Sequence, residues 1–246
     1  MSDFDDRLNQ LREYIRQANH IAFFGGAGVS TESGIPDFRS KNGLYNQHDI
    51  RFDRYPPEYL LSRDCLNNEP KVFYEFYRQK LNCDGIQPNV THTYLARLEA
   101  EGKRVSVITQ NIDGLHQKAG SKEVYEIHGT TQKNYCMKCH QEFPADTIFV
   151  SDERIPRCPF CKGMIRPAVT LYGEQLPSAF MEAVQQLHVA DLMIVAGTSL
   201  TVYPANTLVS DFYGNRLVII NNAETEYDKY ADLVFHENLG QVFSQL

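Results

Sequence analysis

The chain has 246 residues, 42% hydrophobic and 22% charged, with a net charge of −7. That is the composition of a folded protein with a real core, and it excludes a disordered or low-complexity chain. The acidic balance argues against a basic nucleic-acid face. Met1 to Asn19 carries charges throughout, and no run approaches 18 apolar residues. A cytoplasmic protein is therefore expected, neither exported nor membrane-spanning.

Phe4, Leu8, Leu11, Ile15 and Ala18 recur at helical spacing and predict an N-terminal amphipathic helix. Ile21 to Phe24 reads as a buried strand running into Gly25-Gly26-Ala27-Gly28. A helix from Asn89 to Ala100 precedes a strand from Val105 to Thr109, and Val124 to His128 is a further short strand. Leu192 to Ala196 and Leu217 to Asn221 are strands, with helices over Val184 to His188 and Ala205 to Phe212. Alternating strands and helices predict an α/β fold with a Rossmann-like parallel sheet, whose ligands bind at the carboxyl ends of the strands. Two stretches break the alternation. Ser40 to Asp84 is aromatic-rich and helical in pattern, and Thr131 to Arg166 holds four of the six cysteines. The expected division is a sheet domain of residues 1–39, 85–130 and 167–246. The smaller module combines a helical insertion, 40–84, with a zinc-binding insertion, 131–166.

The glycine turn at Gly26, Ala27 and Gly28 could let backbone approach a pyrophosphate. Thr31 replaces the third glycine of the G-x-G-x-x-G pattern, and a tight turn without a ligand is an equal reading. Gln110, Asn111 and Asp113 follow the strand ending at Thr109. They could bind a sugar or carboxamide, although an Asx-type turn accounts for N-I-D on its own. Of the eight histidines, His128 alone stands at a strand end before Gly129-Thr130. An imidazole with a pKa of about 6.5 suits a general base at neutral pH.

Cys136-x-x-Cys139 and Cys158-x-x-Cys161 enclose residues 140–157. Two such knuckles point to tetrahedral zinc, and four thiolates leave no open position, so the metal would be structural. Disulfides and an iron–sulfur cluster are the competing readings. Cys65 and Cys83 lie outside the pattern and read as ordinary thiols.

Ser33-Gly34-Ile35-Pro36-Asp37-Phe38-Arg39-Ser40 after the glycine turn, Thr109 to His116 (T-Q-N-I-D-G-L-H), and Glu126-Ile127-His128-Gly129 occur in that order, followed by the cysteine quartet. From about Asn19 to Leu246 the chain resembles the sirtuin family, as a bacterial NAD-dependent protein deacetylase. The resemblance implies that Gly26, Ala27, Gly28, Thr31, Asp37, Phe38 and Arg39 contact NAD, with Phe38 over the nicotinamide ribose. Ile112 and Asp113 would hold the carboxamide, Gln110 the ribose hydroxyls, and Asn111 would order water and substrate. Gly197, Thr198 and Ser199 would lie on the adenosine side, with Asn221 at the adenine ribose and Gly240 beside adenine. Tyr172, Gly173 and Glu174 match the F-G-E segment, and Val202 and Tyr203 the V-x-P segment; both would pair with an acetyl-lysine peptide. Thr170 stands where related members often carry Val in the acyl-lysine tunnel, and Gly25 where many carry Thr or Val.

The implied reaction transfers the acetyl group to NAD. It yields nicotinamide, O-acetyl-ADP-ribose and free lysine, with His128 as general base. ADP-ribosyl transfer on the same site is the alternative, as is a non-catalytic NAD-sensing module. Sirtuins that favour acidic acyl groups resemble one another in a Tyr-x-x-Arg pair. The stretch Phe73 to Arg78 places Tyr77 at the arginine position if Tyr74 is the motif tyrosine, so neutral acyl groups are expected. The expected partners are acetyl-lysine proteins or peptides, with no nucleic acid and no membrane.

Overall fold

A computed structural model describes residues 3–38, 40 and 43–246. Helix α1 (Asp3–Gln17) buries Leu8, Leu11 and Ile15 and leads into strand β1 (His20–Gly25), every residue of which is buried. A single turn of helix, α2 (Gly28–Thr31), follows. Then come α3 (Pro57–Leu60), α4 (Arg63–Asn68) and α5 (Pro70–Lys80). Helix α6 (Val90–Ala100) starts at a capping box: the Asn89 side chain accepts from Thr91 N–H, while His92 Nδ1 accepts from Asn89 N–H.

Strand β2 (Arg104–Thr109), α7 (Leu115–Ala119) and β3 (Val124–Glu126) come next. The cysteine segment carries β4 (Gly129–Cys136), β5 (Glu142–Pro144) and β6 (Ile165–Val169). The chain then returns through α8 (Ser178–Val189), β7 (Leu192–Ala196), β8 (Arg216–Ile220), β9 (Leu233–Phe235) and α9 (Leu239–Phe243).

The large sheet runs β3-β2-β1-β7-β8-β9, all pairs parallel. Strand order reverses between β1 and β7, which is where such sheets open a ligand crevice. One apolar cluster packs α1, α6 and α9 on one face, and a second packs α8 and residues 205–209 on the other. Burial on both faces explains the continuous apolar runs of β1 and β7. The small sheet, β5-β4-β6, is antiparallel. A third apolar cluster joins residues 44–81 to residues 136–171, so the helical insertion and the cysteine segment share one core.

The structure departs from the sequence expectations at several points. The helix expected over Ala205 to Phe212 is a 3-10 helix, Ala205–Asp211. The strand expected over Val124 to His128 stops at Glu126, which frees His128 from the ladder. β9 was not anticipated, because three residues are too short to show a period. No described helix is long and apolar enough to cross a membrane.

Candidate active site

The carboxyl ends of the strands are tied to one another. Gln110 N–H donates to Gly25 carbonyl at 2.9 Å, Gly26 N–H to Ala196 at 3.0 Å, and Gly197 N–H to Ile220 at 3.0 Å. Asn221 N–H continues the series to Phe235 at 2.9 Å. The polar turns therefore stand side by side and form the floor of a cleft of about 1040 Å³.

Ala27, Gly28 and Thr31 line this cleft, as do Asp37, Phe38, Gln110, Asn111 and Ile112. So do Gly197, Thr198, Ser199 and Asn221. His128, Thr170, Tyr172, Gly173 and Glu174 line it too, together with Val202 and Tyr203. Arg39 lies outside the described residues. Gly26, Asp113 and Gly240 are not in the wall.

The glycine turn is glycine for reasons of packing. A Cβ on Gly26 would come within 2.7 Å of Gly197 O, and one on Gly28 within 2.7 Å of Gly197 Cα. Two strand-end turns interlock there, and any side chain would push them apart. Gly25 is confined in the same way, since a Cβ would lie 2.9 Å from the Phe23 ring.

Asp113 is buried behind the wall. Its carboxylate accepts from Ser30 Oγ at 2.7 Å and from Leu115 N–H at 2.8 Å. Burial raises its pKa, and these two bonds oppose the rise without cancelling it. Ser30 also accepts from Asn111 Nδ2 at 3.0 Å, so one hydroxyl ties two residues of the N-I-D string to α2. Sequence reasoning passed over Ser30, although a buried polar residue beside a glycine turn is a signal that could have found it. Gly240 N–H donates to Glu32 Oε1 at 2.9 Å, while its neighbours Asn238 and Leu239 reach the cleft.

His128 Nδ1 lies 3.0 Å from the Gln110 carbonyl. A carbonyl only accepts, so Nδ1 carries the proton and Nε2 keeps its lone pair. Burial depresses the pKa of His128, partly offset by that same bond, and the ring is neutral at pH 7. Gly129 beside it has φ +75°, and a Cβ there would collide with the Ala168 carbonyl. Thr170 N–H donates to His128 O at 2.8 Å, so the residue after β6 also holds the histidine's backbone.

Arg166 is 7% exposed and grips Glu174 with two nitrogens, while Nη2 also donates to Val169 O at 2.8 Å. Glu174 Oε2 accepts from Leu171 N–H at 2.9 Å. Burial alone would raise the Glu174 pKa; the bonds from Arg166 and Leu171 N–H and the charges of Arg166 and Arg63 together outweigh it and hold the carboxyl below its ordinary range. This pair fixes the curve of residues 169–174. Tyr172 is also fixed through its backbone: its N–H donates to Leu61 O and its carbonyl accepts from Arg63 N–H, both at 3.0 Å.

The four cysteine sulfurs lie within 4.8 Å of one another. Cys136 and Cys161 Sγ are 3.4 Å apart, and Cys139 and Cys158 Sγ 3.7 Å. Zinc–sulfur bonds of about 2.3 Å in a tetrahedron require roughly 3.8 Å between sulfurs, so the cluster fits zinc with little adjustment. Lys138 N–H points at Cys136 Sγ from 3.4 Å, which favours a thiolate. Gly163 is a further requirement that the spacing did not reveal: a Cβ would lie 2.7 Å from Cys136 Sγ.

The chain matches the Sir2 family over residues 26–204. The chain belongs to the Sir2 family. An NAD-dependent protein deacetylase of Clostridium acetobutylicum is 47% identical over 238 residues, covering 96% of each chain. A Sir2 structure with deacetylated p53 peptide and 3'-O-acetyl ADP ribose superposes with a TM-score of 0.86 at 35% identity, covering 97% of this chain and 96% of the other. A Sir2 complex with p53 peptide and NAD+ gives 0.83 at 36% identity with the same coverage. In this Sir2 protein two groups of residues line the cleft. The glycine and amide turns form one wall, and an exposed chain edge beside His128 forms the other.

Proposed function

We propose that this chain is an NAD-dependent protein lysine deacetylase, with His128 as general base and zinc held by Cys136, Cys139, Cys158 and Cys161. The observation that carries the reading is the single cleft in which the strand-end turns face the 169–174 segment across His128. Its volume of about 1040 Å³ lies at the upper end of ligand-pocket sizes, about 300–1,000 Å³, and has room for a dinucleotide. When bound, NAD supplies the ribose that accepts the acetyl group, and the products are nicotinamide, O-acetyl-ADP-ribose and free lysine.

The chain's own residues perform three tasks. The turns at Ala27–Thr31, Gln110–Ile112, Gly197–Ser199 and Asn221 hold the dinucleotide. Asp113 acts from behind, steadying Ile112 and Asn111 through Ser30. Nε2 of His128 takes a proton from a ribose hydroxyl, and the Gln110 carbonyl carries the Nδ1–H that keeps the tautomer correct. Zinc would be structural, since four thiolates close its coordination.

On the peptide side, both backbone groups of Tyr172 are already taken by Leu61 and Arg63. Main-chain pairing with the substrate therefore falls to Gly173, which has φ +86°, and to Val202 and Tyr203. The free thiols Cys65 and Cys83 suit a reducing compartment, the cytoplasm.

The decisive experiment is mass spectrometry of an acetyl-lysine peptide incubated with NAD. Loss of the acetyl group with matching O-acetyl-ADP-ribose is expected. A peptide that keeps its acetyl group and gains ADP-ribose would establish the transferase alternative instead.

A further inference from the structure

β4 and β6 run antiparallel, and at one end of their ladder Gly129 lies opposite Val169. One step further in the same register, His128 comes opposite Thr170, and the Thr170 N–H bond to His128 O at 2.8 Å continues the pairing. Residues directly opposite one another in an antiparallel pair carry their side chains on the same face. Both residues line the cleft. Thr170 is therefore the cross-strand neighbour of the imidazole.

The flanking residues fix which way Thr170 points. Val169 and Leu171 are buried in the apolar cluster of the small module. Successive side chains of an extended chain point to opposite faces, so Thr170 turns away from that core and toward the cleft. Its hydroxyl has no hydrogen-bond partner among the described residues, and it is open to the cleft rather than sealed in the protein. The side chains on either side of it, Val169 and Leu171, offer it no polar group.

An alkyl chain laid against this hydroxyl would strip it of water and return no hydrogen bond, which subtracts from binding. An acyl chain with a hydroxyl of its own returns both a donor and an acceptor. A carboxylate would not serve. No Lys or Arg lines the cleft among the described residues, so the threonine hydroxyl alone would have to support a buried charge. A neutral hydroxyl is the polar substituent that this wall can hold.

We propose that Thr170 is a specificity-determining residue whose hydroxyl, beside His128, selects lysines acylated by a hydroxy acid over lysines that carry the alkyl acyl group of the same length. This rests on the reading of the cleft as a deacylase site with His128 as base. The bonds exchanged are those of deacetylation. The lysine amide and the nicotinamide–ribose bond break, the acyl group ends on a ribose hydroxyl, and one water is consumed. Thr170 takes no part in those steps and acts on which acyl chain is held in place for them.

The test uses the full chain and two matched pairs on one peptide backbone, lactyl- against propionyl-lysine and 3-hydroxybutyryl- against butyryl-lysine. The ratio of kcat/KM within each pair is measured for the wild-type protein, Thr170→Val and Thr170→Ser. Valine keeps the branched shape and loses the hydroxyl, whereas serine keeps the hydroxyl. A ratio taken within one protein cancels any general loss of activity. In the wild-type protein the hydroxyacyl peptide should be the better substrate of at least one pair. Thr170→Val should lower that ratio about two- to tenfold, the range of one neutral hydrogen bond, and Thr170→Ser should preserve it. A ratio below one in both pairs, a ratio unchanged in Thr170→Val, or an equal fall in Thr170→Ser would each overturn the proposal. A wild-type protein that removes acetyl yet ignores both hydroxyacyl groups would overturn it too and leave the deacetylase reading standing. No turnover of any acyl peptide would bring down that reading, and the role of Thr170 with it.

Discussion

Gln110 holds His128 through its backbone carbonyl, while its side-chain Nε2 donates to Thr198 Oγ1 at 3.1 Å. One residue at the end of β2 therefore sets the tautomer of the base and ties it to the turn after β7. Because a backbone carbonyl does the holding, no side-chain substitution at 110 removes it outright.

His128→Ala should lower deacetylation by about 10²–10⁴-fold, the usual loss for a general base. Dinucleotide affinity should change little, because the turns that hold it remain. The pH profile carries a second test. The His128 pKa is depressed by burial, so the acid limb of kcat/KM should have its midpoint below the free-histidine value of about 6.5. A limb centred above that value in steady-state assays would count against His128 as the titrating base.

Acetyl-lysine should be a better substrate than succinyl- or malonyl-lysine. Arg78, the cation nearest to the expected motif, is committed elsewhere: Nε donates to Ile148 O and Nη2 to Glu153 O, both at 2.7 Å. Tyr74 is fully buried and donates to Ile165 O at 2.6 Å. Among the described residues lining the cleft there is no Lys or Arg, while Glu32, Asp37 and Glu174 are acidic. Burying a further carboxylate there without a cation costs several kcal/mol. Comparison of kcat/KM for acetyl-, butyryl- and succinyl-lysine on one peptide decides it, and succinyl at or above acetyl would refute the argument.

Purified protein should contain about one zinc per chain, and chelation should lower its thermal midpoint, since metal binding at a closed site is folding energy. Gly163→Ala should act in the same direction, because its Cβ would press on Cys136 Sγ. Elemental analysis that finds no metal in protein prepared without chelator would contradict this.

Acid should destabilise the fold through two buried histidines. The rings of His92 and His116 lie 4.6 Å apart, tilted at 55°, and among the described residues nothing hydrogen-bonds His92 Nε2 or either His116 nitrogen. Burial lowers His92 to about 4 and lowers His116 as well. The unfolded chain binds protons there near pH 6.5 and the native chain does not, so stability falls as pH drops from about 6.5 toward 4. Each histidine contributes roughly 1.4 kcal/mol per pH unit over the window between its two pKa values. Urea midpoints at pH 7, 6 and 5 should fall in that order, and His116→Phe should flatten the slope. An unchanged midpoint at pH 5 would exclude the effect.

The parallel sheet was legible because β1, β2, β7 and β8 are apolar runs ending in polar turns, a pattern dictated by burial on both faces. The cysteine quartet was legible because metal geometry constrains local spacing. What stayed hidden was set by contacts between distant segments. Nothing near Gly129 in sequence announces the Ala168 carbonyl that forbids a side chain there. Pairing of Tyr172 with Leu61 and Arg63 joins segments more than a hundred residues apart. Asp113 is expected to contact the ligand; its further bonds to Ser30 Oγ and Leu115 N–H are set by the fold and do not show in the N-I-D string.

The occupied backbone of Tyr172 bears on which lysines this protein can reach. An added strand has only a short stretch of chain edge to pair with, and it must be extended to use it. A lysine inside a helix presents its main chain already bonded to itself, so that helix would first have to unwind at a free-energy cost the short edge cannot repay. Target choice would then follow local foldedness more than sequence. Deacetylation of tails, loops and transiently opened segments would then be fast, and the same acyl mark in a stable helix would persist until that helix frays.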